Sequence, residues 1–560
     1  MLSHPMRPPS PLKSTALSFF TLALVAFLLP GCAKTDPATS GSAPTKKVLN
    51  LGNGAEPQDL DPQITTGVTE HHILMALFEG LVAEHPSGEG LAPGVAESWE
   101  TSADQLTWTF RLRANAKWSN GDPVTARDFL RSFQRILTPA LAAEYSYHLH
   151  VVEGAEAYNN GTLTDFARTG FSAPDDRTLV LRLVQPVPYL PYALRHTAWF
   201  PVHLPTIEKF GPPERKGSPW TRAGNHVGNG PFVLTKWQPN QAITAERSPT
   251  YWDAANVKLD AVVFHAIEDD NTEERMFRAG QLDATSTIPP DKIDVYRRDH
   301  PEMLRLDPYY GTYYFNINIT RPPLDDVRVR RALALAIDRE AIVRTVTRGG
   351  QEPAYHFTPP YAGYTPGEVL TGGLSEARRL LAEAGYPEGK GLRRLEILYN
   401  TSEAHKSVAE AIQQMWRTGL GVDVSLRNEE WKVYLDSKDN LAYDICRAGW
   451  IGDFPDPHGF LDVFVTGGGN NDTGYGNPEY DALVRSALGM PDTAARMAVY
   501  RQLDSILTRD MPQIPLYFYK RVHLVHPRVK NWVPNIIDNR GWQYIDIDAG
   551  VPAGESKGKD

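Results

Sequence analysis

Between Tyr443 and Pro457 an apolar strand pattern runs directly into a charged turn, and few packed structures accommodate that combination. Tyr443, Ile445 and the residues after them read as a buried strand, from which Arg447 emerges only six positions before the acid at Asp453. Opposite charges are thereby set on either side of one aromatic, Trp450. Ala448, Gly449 and Gly452 leave room for another backbone to approach, and Pro455 and Pro457 stop the strand from continuing. Two readings follow: the charges hold a small zwitterion, or they form a structural ion pair at a strand end.

Either reading needs a large core around it. The chain has 560 residues, 41% hydrophobic and 22% charged, which describes a globular protein of three or four domain-sized units. Cys32 and Cys446 are its only cysteines, so no disulfide framework substitutes for that core. The formal net charge of -10 argues against a nucleic-acid partner. His148 and His150 lack Cys, Asp or Glu partners at the usual ligand spacing, so no metal and no cofactor is expected. The motifs G-x-S-x-G, H-E-x-x-H and C-x-x-C and a phosphate-binding glycine loop are all missing, which argues against an enzyme. Asp453 and Asp456 have the residue type for acid/base work, but ligand charge explains their setting better.

The first thirty-two residues read as a targeting segment: Arg7 and Lys13 give a basic start, Ala16 to Leu29 form an apolar run of fourteen, and Leu29-Pro30-Gly31-Cys32 closes it. Fourteen residues are too few to span a bilayer comfortably. The pattern resembles a bacterial lipoprotein signal in which Cys32 is lipidated and becomes the mature N-terminus, although Pro30 departs from the usual cleavage motif. Ala33 to Lys47 is small, polar and broken by proline, as a flexible tether is.

From Val48 onward the motifs form one collinear series. A strand at Val48–Leu51 leads through EPQDLDP (56–62) into a helix with Glu70, Leu74, Leu77 and Leu81 at helical spacing. PGVAESW (93–99), LTWTFRL (106–112) and WSNGDPVTARDF (118–129) read as two alternating strands, an Asn-Gly turn, and a helix starting near Thr125 with Phe129 and Phe133 on its apolar face. GNGPF (228–232), ERSPTYW (246–252) and the aromatic strand DPYYGTYYFNIN (307–318) follow. Tyr309, Tyr310, Tyr313 and Tyr314 cannot all face one side, because side chains alternate along a strand. Asp325 or Asp326 caps a helix with Val329, Leu333 and Ile337 on one face, and its arginines, interleaved with aspartates, read as a salt-bridged surface.

These motifs, with RAGWIGDFPDP at 447–457, resemble the periplasmic oligopeptide-binding proteins, the extracytoplasmic solute receptors of ABC importers. The resemblance implies an α/β, two-lobed periplasmic-binding-protein fold with two hinge crossings near 310 and 520. It divides the chain into a first lobe of 48–82, 207–310 and 521–560, an extra domain of 83–206 inserted in it, and a second lobe of 311–520. It assigns the peptide's amino group to Asp453 and the carboxylate to Arg447, His405 and Lys438, and it lines the cleft with Glu70, Tyr145, Tyr309, Tyr314, Trp431, Gly449, Trp450, Ile451 and Tyr519. Where relatives carry a carboxylate-binding lysine this chain has Thr347, beside Arg348. The familiar members of the family carry cysteines at the positions of Gly311 and Ile451; here the crosslink cannot form, so a softer hinge is expected.

The implied partners are short peptides, a permease and ATPase complex, and the membrane through a lipid anchor, with the receptor itself a monomer. Its place is the cell envelope, in the periplasm or on the outer face of the cytoplasmic membrane. A broad peptide scavenger and a narrow receptor for dipeptides, cell-wall peptides or a signalling peptide fit the sequence equally.

Overall fold

The computed structural model describes residues 46–361, 363–490 and 493–548. The leader that ends at Cys32 and most of the tether lie outside the described residues.

Two long strands, Leu304–Ile317 and Gln513–Leu524, run antiparallel and organise the molecule. Each serves two cores. Tyr313, Phe315, Ile317, Ile514 and Leu516 pack with the buried faces of helices Val327–Leu335 and Glu403–Leu420. At the other end Leu304, Val522 and Leu524 pack with Phe277, Leu282, Ile293 and Tyr296. Between these ends the pairing slips: Pro308 faces Lys520, whereas Thr312 faces Phe518. Four steps on one strand thus face two on the other, and an irregularity of this kind bends a strand pair.

The six-stranded sheet has the order Glu352–Pro353, Gln513–Leu524, Leu304–Ile317, Ile445–Ile451, Leu395–Asn400, Val424–Glu429. On the far side of the crossing, Val48–Gly52 pairs in parallel with Ala261–His265, and Ala242–Arg247 and Phe232–Gln238 extend that sheet antiparallel. A third sheet, Ala96–Thr101, Thr107–Leu112, Thr178–Arg182 and Phe171–Asp175, is antiparallel throughout. The result is an α/β, two-lobed fold crossed twice, with an added sheet from the segment after the first strand.

Local signals explain most element starts. Thr125 caps helix Ala126–Leu137 in a reciprocal box with Asp128, and Phe129 and Phe133 are buried beneath it. Asp326 accepts from the Arg328 N–H at the start of Val327–Leu335, where Val329 and Leu333 are buried. Ile337 is buried too, but lies past the end of that helix. The helix expected to reach Leu81 stops at Leu77: the Leu77 carbonyl accepts from the Gly230 N–H and the Glu79 N–H donates to Asn229 Oδ1, so neither continues the helical ladder, and the chain turns into strand Val82–Glu84.

Candidate functional site

Strand Ile445–Ile451 pairs along its whole length with Gly311–Ile317, Gly449 facing Tyr313 and Ile451 facing Gly311. On its other side it pairs with Leu395–Asn400 only through Ile445 and Cys446. From Arg447 to Ile451 the strand therefore presents an edge that no other strand covers, the Arg447 carbonyl alone being taken by the Tyr434 hydroxyl, and this is the place where an extended chain can add. Over this edge lies a cleft of two adjoining chambers of about 140 and 370 Å³. Arg447, Gly449, Ile451, Trp431, Tyr309 and the Thr66–Val68 turn line both. Asp453, Tyr145, Tyr314, Trp450 and Lys438 belong to the first, and His405, Thr347 and Tyr519 to the second.

Asp453 has no cationic partner among the described residues. Its Oδ2 lies 3.1 Å from His148 Nε2 and its Oδ1 3.6 Å from His196 Nε2, with its side chain 8% exposed. Burial holds each imidazole down at about 3, against the pull of Asp453 at His196, so both are neutral at physiological pH. Burial also pushes the Asp453 carboxyl up to about 6, with His196 opposing. The histidines lie some three hundred residues earlier in the chain.

Arg447 is the mirror case. Its Nη1 donates to Asn400 Oδ1 at 3.3 Å and its Nη2 to the Tyr519 hydroxyl at 2.9 Å, and its guanidinium lies 4.9 Å from the Tyr313 ring centre. No carboxylate of the described residues pairs with it, so the structural ion pair with Asp453 is not formed. A side chain at Gly449 would place Cβ 2.4 Å from the Tyr519 hydroxyl, so the bare backbone there is what lets Tyr519 reach Arg447. His405 stands nearby, its Nδ1 3.4 Å from the Tyr313 hydroxyl, and burial together with the Arg447 charge holds its pKa well below the ordinary value.

Two expected site residues fall elsewhere. Lys438 lines the chamber of Asp453, not that of His405, and its Nζ is 2.6 Å from Asp472; burial would lower its pKa, but Asp472, Asp439 and Glu144 hold it up. A charge already matched there is not a free carboxylate receiver. Glu70 does not line the cleft: it folds back under Gly67, accepts from the Gln58 N–H and Thr69 hydroxyl, and takes Trp431 Nε1 at 3.3 Å, bracing that ring from behind.

The tyrosines divide. Tyr309 and Tyr314 reach the cleft, Tyr310 packs on Tyr361 and Phe460, and Tyr313 stacks on Tyr517. Tyr309 lies in the irregular stretch between Pro308 and Thr312, and it shares the cleft with Tyr314, an odd position with an even one. Thr347 bonds Gln351 and adds no charge. Lys520 and Arg521, both in the second chamber, escape sequence reading, although Tyr517, Tyr519 and Arg521 alternate along one strand. Both already face acids: Lys520 Nζ lies 3.6 Å from Glu352, and Arg521 Nε 2.8 Å from Asp538.

Known proteins share this architecture. Residues 90–472 match the bacterial extracellular solute-binding proteins, family 5, middle region. The chain is 40% identical over 499 residues to the periplasmic oligopeptide-binding protein OppA of Escherichia coli, covering 86% of this chain and 89% of that one. The structure of Haemophilus influenzae OppA in complex with RPPGFSPFR superposes with a TM-score of 0.85 at 37% identity, covering 90% of this chain and 99% of the other. The Escherichia coli murein tripeptide-binding protein MppA gives a TM-score of 0.86 at 35% identity over 90% and 98% of the two chains, and the unliganded open form of MppA only 0.61 over 90% and 97%. The lobes here are thus arranged unlike that open form. The chain belongs to family 5 of the bacterial extracellular solute-binding proteins, which are binding proteins and not enzymes.

Proposed function

We propose that this chain is the receptor of an ABC importer and captures short peptides, in extended form, between its lobes. One observation carries the reading: a single cleft holds a buried anion, Asp453, and a cation, Arg447, that lack counter-charges among the described residues and stand towards opposite ends of an open strand edge. A desolvated charge without a partner is costly, so the pair is tolerable when a zwitterion completes both. A peptide supplies an ammonium at one end, a carboxylate at the other, and backbone groups for the edge between them. The names of the relatives support the same ligand class. On this reading 48–82, 207–310 and 521–560 form one lobe and 311–520 the other, with 83–206 inserted. Peptides recovered from protein purified from its native host and identified by mass spectrometry test the class: a mixture is expected, a single species indicates a dedicated receptor, and no peptide overturns the reading.

Length follows from the edge. Four steps of about 3.4 Å separate Arg447 from Ile451, roughly the span of three to four extended residues. Arg447 is the cation in that chamber without an acid partner among the described residues, His405 being held neutral beside it, and Thr347 adds no charge. In a calorimetric series of one sequence context, peptides of three to four residues bind more tightly than those of five. Tightest binding at five or more overturns this.

The basic start, apolar run and Cys32 support lipid anchoring of a monomeric receptor in the cell envelope. Cys32→Ser releases the protein from the membrane fraction and leaves peptide affinity unchanged. Fractionation of the variant with membranes, as for the unaltered protein, removes the anchor from the account.

A further inference from the structure

We infer that His148 is a positioning residue for the amino end of the ligand, its Nε2–H holding Asp453 Oδ2 so that Oδ1 is presented to an ammonium. The inference rests on the peptide-receptor reading and deepens it at one contact. His148 belongs to the segment Glu144–Val151, far from Asp453 in sequence and on the other side of the closed cleft. Its Nε2 lies 3.1 Å from Oδ2, whereas His196 Nε2, at 3.6 Å from Oδ1, stays outside hydrogen-bond distance. One carboxylate oxygen is therefore held and the other left open.

The chemistry of the contact matters as much as its distance. A carboxylate opposite Nε2 places the imidazole proton on that nitrogen, and Nδ1 is buried with no partner. The ring is packed between Tyr145, Tyr147, His196 and Phe454, with centroids 4.6 to 6.1 Å away, so it has little freedom to turn. The titratable groups around the pair are His71, His150, His196, His458, Tyr145, Tyr147 and Asp462; Lys438 lines the same chamber but is paired with Asp472. Burial keeps His148 neutral, so it donates a hydrogen bond without cancelling the carboxylate's charge. An imidazolium at the same place would satisfy Asp453 and compete with the ligand. A neutral donor orients the anion and leaves its charge for the ammonium.

The test compares His148→Leu, which removes the donor, with His148→Gln, which keeps an N–H near the same place. Titration calorimetry uses one tripeptide, free and N-acetylated, between pH 5 and 8. His148→Leu is expected to weaken the free tripeptide about 10- to 100-fold, the worth of a hydrogen bond to a charged group. It also moves the acid-side loss of affinity to higher pH, because a carboxylate without that donor protonates more readily. His148→Gln stays within about threefold of the unaltered protein, and the acetylated peptide is indifferent to both changes. If His148→Leu binds the free peptide as the unaltered protein does, or weakens free and acetylated peptides equally with no change in pH profile, His148 is a packing residue and the inference fails. If the unaltered protein itself does not distinguish free from acetylated peptide, the amino-anchor reading falls and the positioning role falls with it.

Discussion

Asp453→Asn lowers the affinity for free-amine peptides by roughly 30-fold to several thousand-fold. The substitution keeps shape and removes charge. A ligand ammonium enclosed between the lobes loses its water, and with the carboxylate gone it stays buried and unpaired, which typically costs about 2 to 5 kcal/mol. N-acetylated peptides bind the unaltered protein poorly and lose little more in the variant, since they bring no ammonium. Calorimetry on the four combinations of protein and peptide isolates the pair. Equal weakening of free and acetylated peptides makes Asp453 a structural acid. The same group sets a pH dependence. Burial raises its carboxyl to about 6, and an ammonium favours the charged form, so binding expels a proton at low pH. Affinity is therefore full above that range and falls as pH drops through about 6.

Arg447→Met tests the other end and has an effect of similar size, about 2 to 5 kcal/mol for peptides with a free carboxylate. Methionine keeps much of the apolar stem and removes the guanidinium, which no acid of the described residues neutralises. His405, held neutral by burial and by Arg447 itself, replaces little of the lost charge at neutral pH. C-terminally amidated peptides are the control: they bind the unaltered protein weakly and change little in the variant. Loss that is equal for free and amidated peptides means that Arg447 serves the packing of Tyr313 and Tyr519, not a ligand carboxylate.

How much of this was legible in the sequence depends on whether a contact is local or made by closure. The aromatic strand at 307–318, the helix start near Thr125, the cap offered by Asp325 or Asp326 and the strand that runs into Arg447 are local patterns of periodicity and turn chemistry, and they read correctly, whereas the crossings come from the family resemblance. Tyr309 and Tyr314, an odd and an even position, share the cleft, which simple alternation along one strand does not give, and the slipped pairing opposite Tyr309 depends on the partner strand. Lys438 carried the right charge for a carboxylate receiver, but its helix delivers it to Asp472, a residue thirty-four positions on that no pattern linked to it. His148 invited only a metal question in the sequence. Its contact with Asp453 joins segments 305 residues apart. Glu70 sits one helical turn from the cleft-lining Gly67, near enough in sequence to be taken for a lining residue and turned the wrong way in space.

Ile451 sits opposite Gly311, and its methyl end occupies the space that a Cβ at Gly311 would need, 2.4 Å from where that atom would fall. The joint at the mouth of the cleft is thus a side chain seated on bare backbone. Cys446, the one cysteine of the described residues, is buried, and burial pushes its thiol up to about 12, where it is inert to exchange. The receptor core consequently needs no oxidant to assemble and no oxidoreductase to maintain it. On the proposed reading, peptide affinity is therefore expected to be the same with and without a reducing agent, and what joins Gly311 to Ile451 is packing that can part and reseat where a covalent bond could not.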